Sequence, residues 1–293
     1  MNLNQLRYFQ KLAETQHYTK ASQELFISQP SLTHAIKELE HELGVTLFDK
    51  KGRNVYLNEN GRCFSGYVDQ ALKTLDHGII QIQNRYKDEQ KMIEASVIPT
   101  VVKSYFAPIV KKMTEEHPEY KIQFHSEKTL DIINGIMKNQ YDFGICSKLE
   151  ENGLKYIPLL SEEMVLITTV DHPLTKLEHI TLADIANYPL ITYHKHISIY
   201  KVVMDLFEKE KITPNVLYEL DDETSIASMV SLDFGVAIVA NNFTLNSSEQ
   251  IQITHLDIDP HARLIYLVYN PDRPHSKIAM QFMNELMEKH TKL

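Results

Sequence analysis

The chain has 293 residues, of which 43% are hydrophobic, and a formal net charge of −9. This length is too great for one small domain and allows two or three hydrophobic cores. No stretch approaches the roughly eighteen consecutive apolar residues of a membrane-spanning helix, and the N-terminus lacks the apolar segment of a signal peptide. We therefore expect a cytoplasmic protein that does not associate with membranes.

The charge is divided unevenly along the chain. Residues 1–87 contain eleven Lys/Arg and nine Asp/Glu, whereas the remainder contains nineteen and thirty. A cationic N-terminal part can approach phosphates, while the acidic part stays away from them. The two cysteines, Cys63 and Cys146, have no metal-binding spacing, so we expect both to be free and reduced.

The first helix is predicted from about Leu3 to Ala13, with Leu6, Phe9 and Leu12 on its inner face. A second, shorter helix follows, with Thr19 as its expected N-cap. Only three residues, 26–28, separate it from a third helix. This short connection is typical of a helix-turn-helix.

The third helix has clear start and stop signals. Ser28 is a good N-cap, Pro30 fits the first turn, and Gly44 is placed to end the helix. One face carries apolar residues at spacings of three and four, so the opposite face is free to contact something else. That face begins with Gln29, Pro30, Thr33, His34 and Lys37.

A hairpin is predicted next, with strands at Val45–Phe48 and Val55–Leu57 around a basic loop that contains Gly52. Beside the helix-turn-helix, this hairpin is interpreted as a wing whose cationic tip contacts phosphates or a minor groove.

A long helix is predicted from about Asn60 to Tyr86. Apolar residues recur along it at near-heptad spacing, which favours an antiparallel dimerisation helix; the alternative is a helix packed on its own domain. The charged segment Lys87–Lys91 is interpreted as a connector at a domain boundary.

Beyond this point, short apolar strands alternate with amphipathic helices, which predicts an α/β region with parallel sheets. A second unit begins near Ser161, and the last strand and helix return to the first unit. The predicted strands are Met92–Ile98, Tyr120–His125, Phe143–Cys146, Met164–Thr169, Leu190–Tyr193, Val216–Leu220, Val236–Val239 and Ala262–Tyr269. The predicted helices are Val101–His117, Leu130–Asn139, Ser198–Glu210, Thr224–Leu232 and Ser276–Lys289.

Residues 3–61 resemble the winged helix-turn-helix of LysR-type transcriptional regulators. The matching residues include Leu6, Phe9, Ala21, Leu25, Ser28-Gln29-Pro30-Ser31, Leu39-Glu40, Leu43-Gly44, Leu47-Phe48, Gly52-Arg53, Leu57 and Gly61. So many matches in register are a specific signal. His34 and Lys50 stand where the family usually has arginine, so the base preference at these contacts cannot be transferred.

The resemblance implies DNA contacts at particular positions. We expect base contacts from Gln29, Pro30, Thr33 and His34. Contacts to phosphates or to the minor groove are expected from Thr19, Ser31, Lys37, Lys50 and Arg53, with Ser28 at the same helix start.

The C-terminal region resembles the effector-binding domain of the same family, which has a periplasmic-binding-protein-like α/β fold of two lobes. The matching segments are Ile98-Pro99-Thr100, His117-Pro118, Glu127-Lys128-Thr129, Tyr141 to Ile145, Asp171 to Leu174 and Gly235 to Val239. Asn139 and Asp233 replace family glycines, and Ala240 replaces a proline. Asparagine tolerates a left-handed helix end, whereas Asp233 puts its turn in question.

The expected domains are an N-terminal, mainly α-helical winged helix-turn-helix at 1–58, a linker and dimerisation helix at 59–87, and an effector-binding domain at 88–293. Within the last, lobe I would comprise about 92–160 and 268–293, and lobe II about 161–267.

If this fold is correct, an effector site can be argued from strand ends that precede helices. Helix N-termini favour small anions, and threonine hydroxyls add hydrogen bonds, so we expect an acidic metabolite such as a carboxylate. The alternative is that these threonines only cap their helices. The candidate effector residues are Pro99, Thr100, Lys128, Thr129, Cys146, Thr192, Tyr193, His194 and Thr224.

Other interpretations are weaker. His194 and His196 form an H-x-H pair without a third ligand nearby in sequence, so we expect no metal site. Cys146 could instead be a small buried hydrophobe, and His172 is expected to be structural. We find no nucleophile elbow, phosphate loop or other catalytic signature, so no catalytic residues and no cofactor are expected.

The sequence thus predicts a LysR-type, DNA-binding transcriptional regulator that responds to a small effector. Expected partners are double-stranded DNA and a second copy bound through the linker helix, with dimers forming a homotetramer; RNA polymerase is a further candidate. An enzyme and a solute-binding protein remain as alternatives from other classes, although a solute-binding protein would have no use for residues 1–61.

Overall fold

The structure is a computed structural model that describes residues 1–52, 54–149, 153–241, 250–259 and 261–290. It divides into two compact units, residues 1–83 and 84–293. In the described part of the chain, no helix is long and apolar enough to cross a membrane.

The first unit opens with three helices: α1 (Leu3–Thr15), α2 (Tyr18–Glu24) and α3 (Gln29–Leu43). The predicted ends of α3 are confirmed, because Ser28 accepts a hydrogen bond from the Ser31 N–H and Gly44 is left-handed with φ 70°. The predicted cap of α2 is wrong. The His17 side chain caps this helix by accepting from the Lys20 N–H, and Thr19 lies within its first turn.

The wing consists of strands β1 (Phe48–Lys51) and β2 (Asn54–Leu57), which pair in antiparallel fashion. The first strand begins three residues later than predicted. The Glu40 carboxylate accepts hydrogen bonds from the Leu47 and Phe48 N–H groups at 2.7 and 3.3 Å. These bonds attach the start of β1 to α3.

Helix α4 spans Glu59–Gln90 and is 32 residues long. Val68 and Leu72 are buried in the same core as Phe9 and Leu32. Its first half therefore packs on its own unit, which was the alternative interpretation.

Further along α4, four large apolar side chains are exposed at spacings of four, three and four residues. They are Leu75, Ile79, Ile82 and Tyr86, exposed by 41%, 44%, 74% and 59%. This stripe is the part of the predicted dimerisation face that the structure leaves accessible.

The charged connector predicted at residues 87–91 is instead the helical end of α4, up to Gln90. It belongs to the second unit, where the Lys87 ammonium lies 2.6 Å from the Glu94 carboxylate and 2.9 Å from that of Asp142. The Asp88 carboxylate accepts from the Ile278 N–H at 3.1 Å. Charged side chains thus fix this segment by ion pairs and hydrogen bonds.

Lobe I is built on a five-stranded sheet in the order β4-β3-β5-β12-β6. Strands β3, β4 and β5 are parallel, whereas β12 is antiparallel to both of its neighbours. The helical run from Pro99 to Glu116 (α5, a π-helical turn and α6), α7 and α11 complete the lobe. The bounds are β3 (Met92–Val97), α5 (Pro99–Val101), α6 (Ala107–Glu116), β4 (Lys121–Ser126), α7 (Thr129–Met137), β5 (Phe143–Cys146), β6 (Lys155–Glu162), β12 (Arg263–Tyr269) and α11 (Lys277–His290).

Lobe II contains an antiparallel sheet β10-β7-β11 and a parallel pair β8-β9. A bridge between Leu190 and Val236 connects the two. The bounds are β7 (Met164–Thr169), α8 (Leu182–Ala186), β8 (Pro189–Tyr193), α9 (Ser198–Lys209), β9 (Asn215–Leu220), α10 (Glu223–Ser231), β10 (Ala237–Ala240) and β11 (Ile251–His255). Each lobe has its own hydrophobic core.

The fold class is confirmed, and so is the return of the last strand and helix to the first lobe. The expectation of parallel sheets is only partly correct, because β6, β7, β10, β11 and β12 pair in antiparallel fashion. Strands β6 and β11 and helix α8 were not predicted. Asn139 and Asp233 adopt left-handed conformations with φ 60° and 62°, so aspartate is accommodated at the turn that was in question.

Two glycines of α4 should respond oppositely to alanine. A Cβ at Gly61 would lie 2.1 Å from the Leu47 carbonyl oxygen, whereas one at Gly66 meets nothing within 4 Å. We expect Gly61→Ala to destabilise the N-terminal unit by about 1–3 kcal/mol through overpacking. Gly66→Ala should stabilise it by about 0.5–1 kcal/mol, because glycine is a poor helix former. Denaturant unfolding of both variants tests this contrast, and equal effects would contradict the packing at Gly61.

Candidate functional site

The exposed start of α3 gathers most of the predicted DNA-contacting residues. A shallow surface groove is lined by Gln29, Pro30, Thr33, His34 and Lys37. The Thr19 hydroxyl donates to the Gln29 side-chain oxygen at 3.0 Å, which links α2 to this groove. The helix start thus presents polar side chains of the kind that read base edges and phosphates.

The remaining predicted DNA-contacting residues lie at the start of α3, on the wing or outside the described residues. Ser28 and Ser31 share a hydrogen bond between their hydroxyls at 2.7 Å. His34 is 75% exposed in its side chain and lies 3.3 Å from the Glu38 carboxylate. Lys50 is exposed on β1, while Arg53 lies outside the described residues.

A second depression on the same unit includes three residues that the sequence did not single out: His17, Lys20 and Asn54. It is also lined by Thr19. The basic and polar character of these residues was visible in the sequence, but their proximity depends on the wing, whose Val55 N–H donates to the Gln16 carbonyl at 3.0 Å just before α2.

A cavity of about 640 Å³ lies between lobes I and II. Lobe I contributes residues 98–100, 128–130, 148 and 149. Lobe II contributes residues 193, 195–199, 201 and 221–223, and Arg263 at the start of β12 completes the lining. This volume is in the range of small-molecule sites.

Five predicted effector residues line this cavity: Pro99, Thr100, Lys128, Thr129 and Tyr193. The other four are not among the described lining residues. Cys146 and Thr192 are fully buried within strands, and burial raises the pKa of the Cys146 thiol, so it is an inert packed side chain. The His194 imidazole lies 3.4 Å from the Glu219 carboxylate, and Thr224 is exposed on α10.

Three helices begin at the cavity without a side-chain cap. Their N-cap residues are Ile98, Lys128 and Ile197, and none of these makes a side-chain cap hydrogen bond. Thr100 and Thr129 lie inside their helices and do not act as caps. Such helix starts carry partial positive charge and favour a bound anion.

The charged lining is mixed, with more cations than carboxylates among the described residues. The cationic side chains are Lys128, Lys148, Lys195, Lys201 and Arg263, and the carboxylates are Asp221, Asp222 and Glu223. The Lys128 ammonium lies 2.9 Å from the Asp221 carboxylate and lowers its pKa. This ion pair joins the two lobes at the cavity.

Hydroxyl groups form a second connection between the lobes. Ser198 of lobe II donates to Ser147 of lobe I at 3.1 Å, and its oxygen lies 3.3 Å from that of Thr129. The structure therefore places donors and acceptors from both lobes at the same cavity.

One buried polar cluster was missed by the sequence analysis. Arg263 is only 4% exposed, and its guanidinium lies between the carboxylates of Glu162 and Glu223. The Tyr193 hydroxyl donates to Glu223 at 3.0 Å, and that of Thr100 to Glu162 at 3.4 Å. The only signal in the sequence was that Arg263, a charged residue, stands at the start of an apolar strand.

The H-x-H pair lies beside Asp221, one of the carboxylates that line the cavity. The His194 and His196 rings stack with centroids 5.6 Å apart, and His196 lies 3.5 Å from the Asp221 carboxylate. No group of three or more potential metal ligands occurs in the part of the chain that the structure describes.

Comparison with known proteins agrees with this architecture. Residues 3–62 match the model of the bacterial regulatory helix-turn-helix proteins of the lysR family, and residues 87–291 match the LysR substrate binding domain. A Bacillus subtilis relative, the uncharacterized HTH-type transcriptional regulator YybE, is 32% identical over 88% of each chain.

Solved structures share the fold. The effector-binding domain of QuiR in complex with shikimate aligns with 69% of this chain and 97% of its own, at a TM-score of 0.65 and 24% identity. Full-length CbnR complexed with its target DNA aligns with 99% of this chain and 100% of its own, at a TM-score of 0.60 and 17% identity. With a DNA-binding helix-turn-helix and a two-lobed effector-binding domain, the chain belongs to the LysR family of transcriptional regulators.

Proposed function

We propose that a small anionic metabolite, such as a carboxylate, binds between the two lobes and modulates DNA binding by this regulator. The observation that carries the proposal is the convergence of three helix starts without side-chain caps on a cavity in which cationic side chains outnumber carboxylates. A buried anion is stabilised by both features. The QuiR domain, which binds shikimate, supports a ligand of this size and charge.

DNA contact is assigned to the start of α3 and to the wing. Gln29, Pro30, Thr33 and His34 would contact bases, and Lys37 and Lys50 would contact phosphates, because the N-terminal part of a recognition helix enters the major groove. CbnR, which shares the fold, is known in complex with its target DNA. Ser28, Ser31 and Thr19 would support this contact, and Arg53 is assigned to it from the sequence alone.

Assembly is assigned to the exposed apolar stripe of α4. Leu75, Ile79 and Ile82 follow the spacing of a helix–helix seam and would pack against a second copy. Two such dimers would form a tetramer on DNA. RNA polymerase is proposed as a further partner. Binding of the effector would favour one angle between the lobes and so one set of DNA contacts.

The anion proposal predicts a difference between carboxylates and their neutral amides. Full-length protein should be stabilised against heat by at least one small carboxylate, and the corresponding primary amide should have no effect. The footprint on DNA selected from random duplexes should change with the same carboxylate. Lys195→Ala should weaken carboxylate binding by about fivefold, since Lys195 lines the cavity.

Lys111→Ala is the matched control, because Lys111 is an exposed lysine of α6 whose side chain is 77% accessible. It should leave carboxylate binding unchanged. Equal stabilisation by acids and amides, or equal loss in the two lysine variants, would refute an anion site.

A further inference from the structure

Glu162, Arg263 and Glu223 form a buried cluster, named here the Glu-Arg-Glu cluster, of which Arg263 and Glu223 line the cavity. Glu162 ends β6, Arg263 opens β12, and these two residues are partners in the sheet of lobe I. Glu223 begins α10 of lobe II. The guanidinium Nε lies 3.0 Å from Glu162 Oε2, and Nη1 lies 3.9 Å from Glu223 Oε1.

Despite these short distances, two of the Arg263 nitrogens make no well-aligned hydrogen bond. Its Nε and Nη1 are buried and have no hydrogen-bond partner of acceptable geometry. The side chain nevertheless lines the cavity. A buried donor without a partner is destabilising, so a group that accepts from this guanidinium would bind there favourably.

The neighbouring carboxylates restrict what that group can be. With all three side chains ionised the cluster carries one excess negative charge, so a ligand carboxylate would be repelled by Glu162 and Glu223. A ligand ammonium would be repelled by the Arg263 guanidinium. A neutral hydroxyl avoids both problems, because it accepts from Arg263 and donates to a carboxylate at the same time.

We propose that the Glu-Arg-Glu cluster binds neighbouring hydroxyl groups of the effector, which is therefore a hydroxylated carboxylate. Two adjacent hydroxyls accept from the guanidinium, and one of them donates to Glu223. The acid group of the ligand lies away from the cluster, toward the cavity lysines and the helix starts. This inference rests on the proposed anion-binding function and adds the chemical class of the ligand.

The test uses carboxylates that differ in their hydroxyl groups: tartrate and succinate, gluconate and hexanoate, protocatechuate and benzoate. Their binding to the full-length protein is measured by calorimetric titration. In at least one pair, the hydroxylated acid should bind ten or more times as tightly as its partner, about 1.4 kcal/mol. A site built to hydrogen-bond hydroxyls rejects analogues that lack them.

Glu223→Gln should remove most of this preference, because it weakens the acceptor while keeping the shape of the side chain. Asp221→Asn is the matched control, since Asp221 lines the cavity but pairs with Lys128 outside the cluster. It should alter the affinity of both members of a pair similarly and keep the preference. If Glu223→Gln does not fold, as judged by its thermal transition, Glu162→Gln tests the same cluster.

Failure of the hydroxyl site and failure of anion binding give different results. If carboxylates bind but their hydroxyls make no difference, or if the preference survives Glu223→Gln, the cluster is not a hydroxyl site and only this inference is refuted. If no carboxylate of either kind binds, both the inference and the anion-binding function are refuted.

Discussion

Gln29→Ala should lower the affinity for the selected DNA site by about 10- to 100-fold, the equivalent of about 1–3 kcal/mol for a lost bidentate base contact. Affinity for unrelated duplexes should stay nearly constant, because non-specific binding comes mainly from phosphate contacts. The preference for one base pair within each half-site should be relaxed. Binding titrations on both kinds of DNA, at one salt concentration, measure the effect.

The physical basis is the position of Gln29 at the first residue of α3. Its side chain is exposed in the groove with Pro30 and Thr33, and the Thr19 hydroxyl holds its oxygen at 3.0 Å. A side chain held in this way loses little conformational freedom on binding. Thr19→Val should therefore weaken specific binding in the same direction but by less.

Gln70→Ala provides the control, because Gln70 is an exposed glutamine on α4 of the same unit. Its side chain lies on a helix that follows the wing and does not line the groove of α3. It should leave both affinities unchanged. If Gln29→Ala and Gln70→Ala behave alike, the start of α3 is not the part of the protein that reads bases.

Local signals explain why the N-terminal unit was predicted well. The cap at Ser28 and the left-handed Gly44 depend on residues adjacent in sequence, so α3 begins and ends where expected. The cap of α2 was wrong because both His17 and Thr19 can accept from a backbone N–H, and only packing decides between them. Strand β1 begins late because the Glu40 carboxylate of α3 accepts from the N–H groups of Leu47, just before the strand, and of Phe48, its first residue.

The candidate effector site was less accessible from sequence. Thr100 and Thr129 were found because strand ends that precede helices meet at one edge of a parallel sheet. Arg263 was missed because its environment is set by Glu162 and Glu223, which are distant in sequence and are brought together by the register of β12 on β6 and the start of α10. Thr192 was expected at the cavity, but the packing of β8 buries it completely.

The charged end of α4 was also interpreted wrongly from sequence, because Asp142, a partner of Lys87, is distant in sequence. Asp142→Ala should destabilise the unit formed by residues 84–293 by about 3–5 kcal/mol, the usual effect of removing one partner of a buried ion pair. Asp142 is 3% exposed, and its carboxylate lies 2.9 Å from the Lys87 ammonium. It also accepts a hydrogen bond from the Glu94 N–H at 2.9 Å, which would lose its partner.

Thermal unfolding of the full-length variants measures this effect, and a decrease in Tm of about 10 °C is expected for a unit of this size. Glu115→Ala is the control, because its pair with Lys111 has a distance of 3.9 Å and both side chains are largely exposed. An exposed pair contributes at most about 1 kcal/mol. A Tm decrease for Asp142→Ala no larger than for Glu115→Ala would show that the network around Lys87 does not hold α4 in place.

A double variant distinguishes a lost ion pair from a general packing defect. Lys87→Met combined with Asp142→Leu replaces both charged side chains by apolar ones, so it leaves no unpaired buried charge and should be more stable than Asp142→Ala alone. Part of the loss should remain, since the Glu94 N–H still lacks its acceptor. The last turns of α4 would then be held to lobe I partly by the charges of Lys87 and its two carboxylate partners, and a lobe movement caused by an effector would reach the helix through them. If the double variant were as unstable as Asp142→Ala, the loss would come from the missing acceptor for the Glu94 N–H and not from the unpaired charge of Lys87.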